Sequence, residues 1–272
     1  MINYQNLFNS LIASLLSMLF LILIYLPMEI SFPANPQQKI FRKGWVTDAF
    51  FFFGQYLLWG GLVTSLMLFF SDSIQNFLPL NFKEFISSQP IWLQIIEVIV
   101  LSDLLIYWAH RLQHHNSFLW RFHKIHHSAP HLDWLAAHRE HPLDSIYTIG
   151  IINLPALIFN FPLKMIIGFI AFRGIWAIFI HTNVRISFGP LRTLIGAPEL
   201  HHHHHDIDVK AGNYANLSPL MDILFGTYVN PPTEPKQIGI REPLPNNYFG
   251  QLLWPLLPHK IVTRLNQYFH IN

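Results

Sequence analysis

Histidine is the residue type in this chain that is best suited to chemistry, and its placement is uneven. Fifteen of the 17 histidines fall between His110 and His205. Cysteine is absent, which excludes thiolate metal sites, iron–sulfur clusters and a cysteine nucleophile. Eight of the histidines form three groups with spacings of one to four residues: His110 and His114; His123, His126 and His127; and His201, His204 and His205.

The spacing of these groups indicates metal binding. Residues three or four positions apart share a helix face, so each group can direct two or three imidazoles towards one point. Neutral imidazole binds first-row divalent metals through either ring nitrogen. The eight histidines are more than one ion takes from a protein, and they suit two metal ions that each keep an open position. His141 and His181 are further candidates that could complete the ligand set.

Longer motifs surround the histidines along roughly residues 100–230. They are, in chain order, Asp103–His114, Trp120–Ser128, His141-Pro142, His181–Asn183, Pro198–His205, Asn213–Asn216 and Asp222–Thr227. In this order and spacing the chain resembles the fatty acid hydroxylase and sterol desaturase superfamily of membrane di-iron oxygenases. His202 and His203 occupy positions where the family pattern does not require histidine, which leaves the register within residues 201–205 open.

The resemblance implies two iron ions held entirely by histidines, activation of dioxygen, and hydroxylation or desaturation of a lipid C–H bond. Hydroxylation is the default expectation, because desaturation needs a second, accurately placed hydrogen removal. Zinc can replace iron during purification, since nitrogen ligands bind zinc more strongly than ferrous iron. The ligands that the resemblance implies are His110, His114, His123, His126, His127, His141, His181, His201, His204 and His205.

Groups that orient the imidazoles are expected near the motifs, because metal-bound histidines usually donate their second ring N–H to a neighbour. Glu140, Asp144 and Asp208 lie nearby in sequence. The residues that we favour for this role are Asp103, Glu199, Asp206 and Asn213.

A histidine-rich membrane metal transporter, or a metal-binding membrane protein without oxidative turnover, is the alternative interpretation. A loose metal-gathering loop does not need repeated H-x2-H-H spacing, and the first two apolar segments carry no ionisable residue for an ion path. The sequence therefore favours the oxygenase. A nucleic-acid partner is not expected, because a formal net charge of +2 provides no broad basic surface.

The elements that must position the histidines are membrane helices. The chain is 51% hydrophobic and only 12% charged, about half the usual charged fraction. Three apolar runs have spanning length, and the stretch from Ser145 to Val184 fits two helices in a hairpin. The prediction is an all-α, multi-pass membrane bundle of about four to five segments. The three runs are Phe8–Met28, Ala49–Ser71 and Pro90–His110.

The lysines and arginines predict the orientation of the bundle. They concentrate after the first and third apolar runs and beyond residue 184, together with the histidines. By the positive-inside rule, the histidine groups and the C-terminus are cytoplasmic. No haem-attachment, flavin or ferredoxin motif is present, so electrons are expected from a separate redox protein on that side.

The expected organisation has three parts. Residues 1–90 form N-terminal membrane helices with connecting loops, 91–230 form the di-iron domain, and 231–272 form a C-terminal cytoplasmic tail. A histidine-rich helical cap would then cover the cytoplasmic face of the bundle, where a lipid substrate reaches it from the bilayer.

Overall fold

The fold is helical throughout the residues that the computed structural model describes, which are 4–161, 163–186, 188–208 and 211–269. Backbone pairing of the β type is limited there to two isolated bridges, so the all-α prediction is confirmed. The α-helices are α1 (Tyr4–Ser31), α2 (Trp45–Gly54), α3 (Gly60–Phe77), α4 (Leu80–Ser88), α5 (Ile91–His115), α6 (Ser117–His127), α7 (Pro142–Ile158), α8 (Leu163–His181), α9 (Pro198–His204), α10 (Leu220–Leu224), α11 (Tyr248–Leu253) and α12 (His259–Phe269). Short 3-10 turns lie at Ala136–His138, Gly189–Thr193 and Trp254–Leu256.

Four helical segments among the described residues are long and apolar enough to cross a membrane. Trp45–Phe77 joins α2 to α3 through a π-helical turn at Gln55–Trp59. The other three segments lie in α1, α5 and α8 and comprise Leu7–Ser31, Ile91–His115 and Lys164–His181. The three apolar runs predicted from the sequence fall within the first three segments or overlap them.

The stretch from Ser145 to Val184 contains the two predicted helices, α7 and α8. Helix α7 has 17 residues, includes Pro155, and is shorter than the four candidate spans. It packs against α3 and α5, and Ala156 and Leu157 join Val98 in the buried apolar core. Four candidate spans and one shorter apolar helix agree with the expectation of four to five segments.

A one-residue break between α5 and α6 brings the first two histidine groups together. Asn116 has an extended backbone at φ −105° and ψ 118°. Its side chain accepts hydrogen bonds from the N–H groups of Phe118 and Leu119, which caps α6. The two helices on either side of this break place His110 Nε2 only 3.1 Å from His123 Nε2.

The segment after residue 230 is folded against the histidine-bearing helices. Gly239 N–H donates to the carbonyl of His205 at 3.2 Å. Arg121 of α6 donates to the carbonyls of Pro255 and Leu257. The residues expected to form a tail are thus packed on the helices up to the end of the last 3-10 turn.

Four buried charges hold the loop after α6 against the start of α2. Arg42 pairs with Asp48 at 2.7 Å and also with Asp133, and Arg139 pairs with the same Asp48. All four residues are buried. Buried charges are tolerated only with partners, and the Asp48 carboxylate is shared by two guanidinium groups.

Replacing Asp48 by Asn is therefore expected to lower the free energy of unfolding by about 3–5 kcal/mol, because two buried guanidinium groups lose a charged partner. The measurement is a thermal unfolding scan in detergent. Asp72→Asn is the matched control, since Asp72 is exposed on α3. Equal midpoints for the two variants would contradict a structural role for this charge network.

Candidate metal centre

Nine of the ten histidines predicted as ligands lie in two compact groups. Within each group, one ring nitrogen from every residue lies within 4.8 Å of those of the others. The five-histidine group consists of His110, His114, His123, His127 and His204, and the four-histidine group consists of His126, His181, His201 and His205.

Each three-histidine motif is divided between the two groups. His123 and His127 join the five-histidine group, whereas His126 joins the other. Successive helical residues are about 100° apart around the axis, so the adjacent residues 126 and 127 point in different directions. The run at residues 201–205 divides in the same way. Each motif thus directs two rings, four residues apart, towards one point, and the third member of a three-histidine motif joins the other group.

Backbone carbonyls fix four of the rings. A carbonyl oxygen only accepts, so the ring nitrogen facing it carries the proton. The Nε2 atom of each of these rings then presents an unprotonated lone pair. The Nδ1–H groups of His110, His126, His181 and His204 donate to the carbonyls of Tyr214 (2.8 Å), Arg139 (3.3 Å), Ala177 (2.6 Å) and Gly212 (2.7 Å), respectively.

A carboxylate fixes a fifth ring. His123 Nδ1 donates to Asp144 Oδ2 at 2.9 Å, and Asp144 Oδ1 accepts from Gln113 Nε2 at 2.6 Å. Carboxylate–histidine pairs of this kind orient metal ligands. The sequence placed Asp144 near the motifs without singling it out. The sequence feature that could have identified Asp144 is its position in the first turn of the helix that begins at Pro142, directly after the His141-Pro142 motif.

The unprotonated nitrogens meet at short distances, which tests whether these residues fit a metal. His110 Nε2 lies 3.1 Å from His123 Nε2, and His126 Nε2 lies 3.0 Å from His181 Nε2. Since both members of each pair present lone pairs, no hydrogen joins them and they repel one another. A cation that accepts both lone pairs removes this repulsion, so the residues fit a metal ion in each group. Within the five-histidine group, three more Nε2 atoms are buried without a hydrogen-bond partner, those of His114, His127 and His204.

Burial keeps the rings outside the candidate spans neutral. It lowers their pKa well below the ordinary value, and neighbouring imidazoles lower the pKa further by like-charge repulsion. These rings therefore take up a second proton only at low pH, and near pH 7 they are available as neutral ligands. They are His123, His126, His127, His201, His204 and His205.

Two of the residues favoured as orienting groups form ion pairs away from the rings. Asp103 pairs with Arg173 between α5 and α8. Glu199 lies 4.0 Å from Arg192. Their charges are therefore directed to arginines, and backbone carbonyls take the role expected of them.

The other two favoured residues organise backbone. Asp206 accepts from the N–H of Asp208 at 2.9 Å. Asn213 donates to the carbonyls of Leu200 and Val229 and adopts a left-handed φ of 53°. Asn213 thereby fixes the backbone next to Gly212, whose carbonyl accepts from His204.

His141 lies outside both groups. Its Nδ1 accepts from the N–H of Leu143 at 3.1 Å, and its Nε2 donates to the carbonyl of Leu252 at 3.1 Å. Both ring nitrogens are therefore engaged, and the side chain caps α7. The arrangement does not place it with the other predicted ligands.

His202 and His203 also lie outside both groups, although they stand within the histidine run. His202 bonds to Glu234 through Nδ1 and to the carbonyl of Thr182 through Nε2, at 2.7 and 2.9 Å. The members of the run that join the groups are those at positions 201, 204 and 205, in the register that the resemblance implied.

A cavity of about 740 Å³ reaches both histidine groups. This volume is within the range of small-molecule sites. Histidines of both groups form part of its wall, and the remainder is mainly apolar. Its wall includes His110, His123, His126, His181 and His201, with Val63, Met67, Ile106, Ile152 and Ile178 further away along the helices.

Comparison with known proteins gives a family and several relatives. Residues 95–227 match the family described as fatty acid hydroxylase. Ornithine lipid hydroxylase OlsE of Rhizobium tropici is 31% identical over 169 residues, which are 61% of this chain and 51% of that protein. A delta(7)-sterol 5(6)-desaturase of Leptosphaeria maculans is 34% identical over 147 residues, 53% of this chain and 39% of that protein. Alkylglycerol monooxygenase of Homo sapiens is 32% identical over 131 residues, 46% of this chain and 28% of that protein.

The chain spans about half the length of the first of these relatives and less of the other two. No solved structure matches it. The family match contains all nine grouped histidines, the carbonyl-bearing loop around Tyr214, and Asp144. Residues 95–227 of the chain belong to the fatty acid hydroxylase family, in the superfamily that includes the sterol desaturases.

Proposed function

We propose that this protein is a membrane-bound di-iron oxygenase that hydroxylates, or alternatively desaturates, a C–H bond of a lipid. The observation that carries the proposal is the meeting of two histidine groups on the wall of one apolar cavity. The relatives support a lipid substrate, since their names describe an ornithine lipid hydroxylase, a sterol desaturase and an alkylglycerol monooxygenase. A fatty acyl, sterol or ether lipid would be the substrate.

Each histidine group would hold one metal ion through its Nε2 atoms. When bound, two iron ions supply activation of dioxygen, with one oxygen atom entering the C–H bond and the other leaving as water after two electrons and two protons are added. The protein holds the imidazoles in place through the carbonyls of Tyr214, Gly212, Ala177 and Arg139 and through Asp144. These hydrogen bonds occupy the Nδ1 atoms and leave the Nε2 lone pairs free to bind metal.

The cavity would take the lipid directly from the bilayer. Its walls are built by the candidate spans, including Leu21 of α1, Met67 of α3 and Ile178 of α8. An apolar substrate can therefore reach the histidines without passing through water. The apolar wall also keeps water from the reacting groups.

Electrons would come from a separate redox protein, since the chain carries no motif for a haem, a flavin or an iron–sulfur cluster. The distribution of lysine and arginine supports a cytoplasmic location of the histidine groups and the C-terminus. The redox protein that donates the electrons would then dock on the cytoplasmic side.

The function is tested by reconstituting detergent-purified protein with ferrous iron, dioxygen, a reductase system and a total lipid extract. The expected result is two irons per chain and a lipid product whose mass has increased by one oxygen atom, or decreased by two hydrogen atoms. Product should be absent without reductant. Full metal loading with no product, together with metal flux into vesicles, would instead support the transporter.

Removing one ligand from each group is expected to remove about one metal ion per chain in each case, because each group would hold its own ion. The variants are His204→Ala and His205→Ala, and the measurement is metal content per chain by mass spectrometry. His115→Ala is the control, since His115 is exposed on α5. His141→Asn, which preserves a helix-capping side chain, should keep both ions. Unchanged metal content in the first two variants would exclude them as ligands.

Replacing Asp144 by Asn is expected to weaken metal affinity or activity about 10- to 100-fold, because His123 loses a charged acceptor for its Nδ1–H. Competition with a chelator measures the affinity. Asp208→Asn is the matched control, since Asp208 is exposed and lies outside both groups. If the two variants bind iron equally well, the carboxylate does not tune the site.

A further inference from the structure

The cavity has a long apolar part that runs away from the histidines. It is lined along α7 from Pro142 to Asn153 and along α8 from Ile170 to His181. The ends of each stretch are 11 residue steps apart, which at 1.5 Å per step is about 16 Å. This length suits an extended hydrocarbon chain that lies along these two helices, with one end at the metal groups.

A polar pair, His138 and Gln55, lies in the wall at the histidine end. The carbonyl of the next residue, Arg139, accepts from His126 of the four-histidine group, which places His138 beside that group. His138 Nδ1 donates to Gln55 Oε1 at 3.3 Å. Gln55 begins the π-helical turn that interrupts the second candidate span. Such turns are rare and are frequently found at functional sites.

The second ring nitrogen of His138 has no protein partner. Its Nε2 is buried without a hydrogen bond. Burial lowers the pKa of His138 to about 4, so the ring is neutral near pH 7. With the proton on Nδ1, Nε2 is an acceptor, and a buried acceptor needs a donor.

Some polar groups farther from the histidines are engaged within the protein. Arg173 pairs with Asp103, and Thr64 donates to the carbonyl of Gly60 in its own helix. Asn153 donates its amide to the carbonyl of Ile149, but its Oδ1 is buried without a hydrogen bond, as is that of Asn216. His138 differs from these two residues because it directly precedes Arg139, whose carbonyl orients His126, and because Gln55 determines which of its ring nitrogens accepts.

We propose that His138, oriented by Gln55, binds a hydrogen-bond donor on the lipid, a hydroxyl or an amide N–H, and so holds the polar end of the substrate beside the metal groups. This inference rests on the proposed function. The hydrocarbon tail then lies in the apolar part of the cavity, and the carbon that is oxidised lies close to the donor group rather than in the middle or at the far end of the chain.

The test is equilibrium binding of radiolabelled lipids to the full-length, metal-loaded protein without reductant. Two matched pairs separate the two sources of a donor: 1-hexadecanol against its methyl ether, and N-methylpalmitamide against N,N-dimethylpalmitamide. The donor-bearing member of at least one pair should bind about tenfold more tightly, because the other leaves a buried acceptor unpaired. Equal binding within both pairs would overturn the proposal.

Three substitutions test which residue binds the hydrogen-bond donor of the lipid. His138→Phe keeps a ring against Phe52, whose ring centroid lies 4.8 Å from that of His138, and should abolish the preference. Gln55→Leu is the second variant, and it should weaken the preference because the tautomer of His138 is no longer fixed. Asn153→Leu, at the far end of the cavity, should retain it. Loss of the preference in Asn153→Leu but not in His138→Phe would place the polar end at the opposite end and overturn the proposal.

The binding assay separates this inference from the proposed function. A preference that depends on His138 in a protein that forms no oxidised lipid would support the recognition site and reject the oxygenase. Oxidised lipid formed by a protein without any preference would support the oxygenase and reject the recognition site. In active protein, the oxidised carbon should lie near the donor group, and His138→Phe should spread oxidation over several positions.

Discussion

The convergence of unprotonated imidazole nitrogens is the constraint on which the rest of the structure depends. Nε2 atoms that face one another at about 3 Å repel unless a cation accepts their lone pairs, and their Nδ1 protons are committed to carbonyls and to Asp144. Four helices from different parts of the chain must deliver these rings to one place. A metal that binds there stabilises the fold itself, since its binding free energy contributes to folding.

Irregular backbone, rather than side chains, does most of the orienting. The loop that carries Gly212 and Tyr214 is held by Asp222, which accepts from the N–H groups of Tyr214 and Ala215 at 2.8 Å each. The loop also approaches Gly196 closely: a Cβ there would lie 2.7 Å from the carbonyl oxygen of Asn216. Glycine at position 196 therefore permits the contact between this loop and the segment before α9.

The N-terminal region, outside the family match, takes part in the same site. Asp48 holds Arg139, and the carbonyl of Arg139 orients His126. Tyr25 of α1 donates to the carbonyl of Ile175 at 2.6 Å, which ties the first span to the wall of the cavity. Residues before position 95 therefore support the metal groups and shape the space beside them, although they carry none of the histidines.

The sequence by itself determined the helical class and the apolar segments, and its ten candidate ligands include all nine grouped histidines, because hydrophobic runs and spacings of three or four residues are local properties of a helix. Only the tertiary structure decided how each motif divides between two groups, since that depends on which neighbouring helix each ring faces. Only the tertiary structure showed that His141 caps a helix and that backbone carbonyls orient the rings, since every residue has a carbonyl and the sequence does not distinguish these. The pairing of Gln55 with His138 was equally hidden, because the two residues are 83 positions apart and meet only when α2 packs against the 3-10 turn.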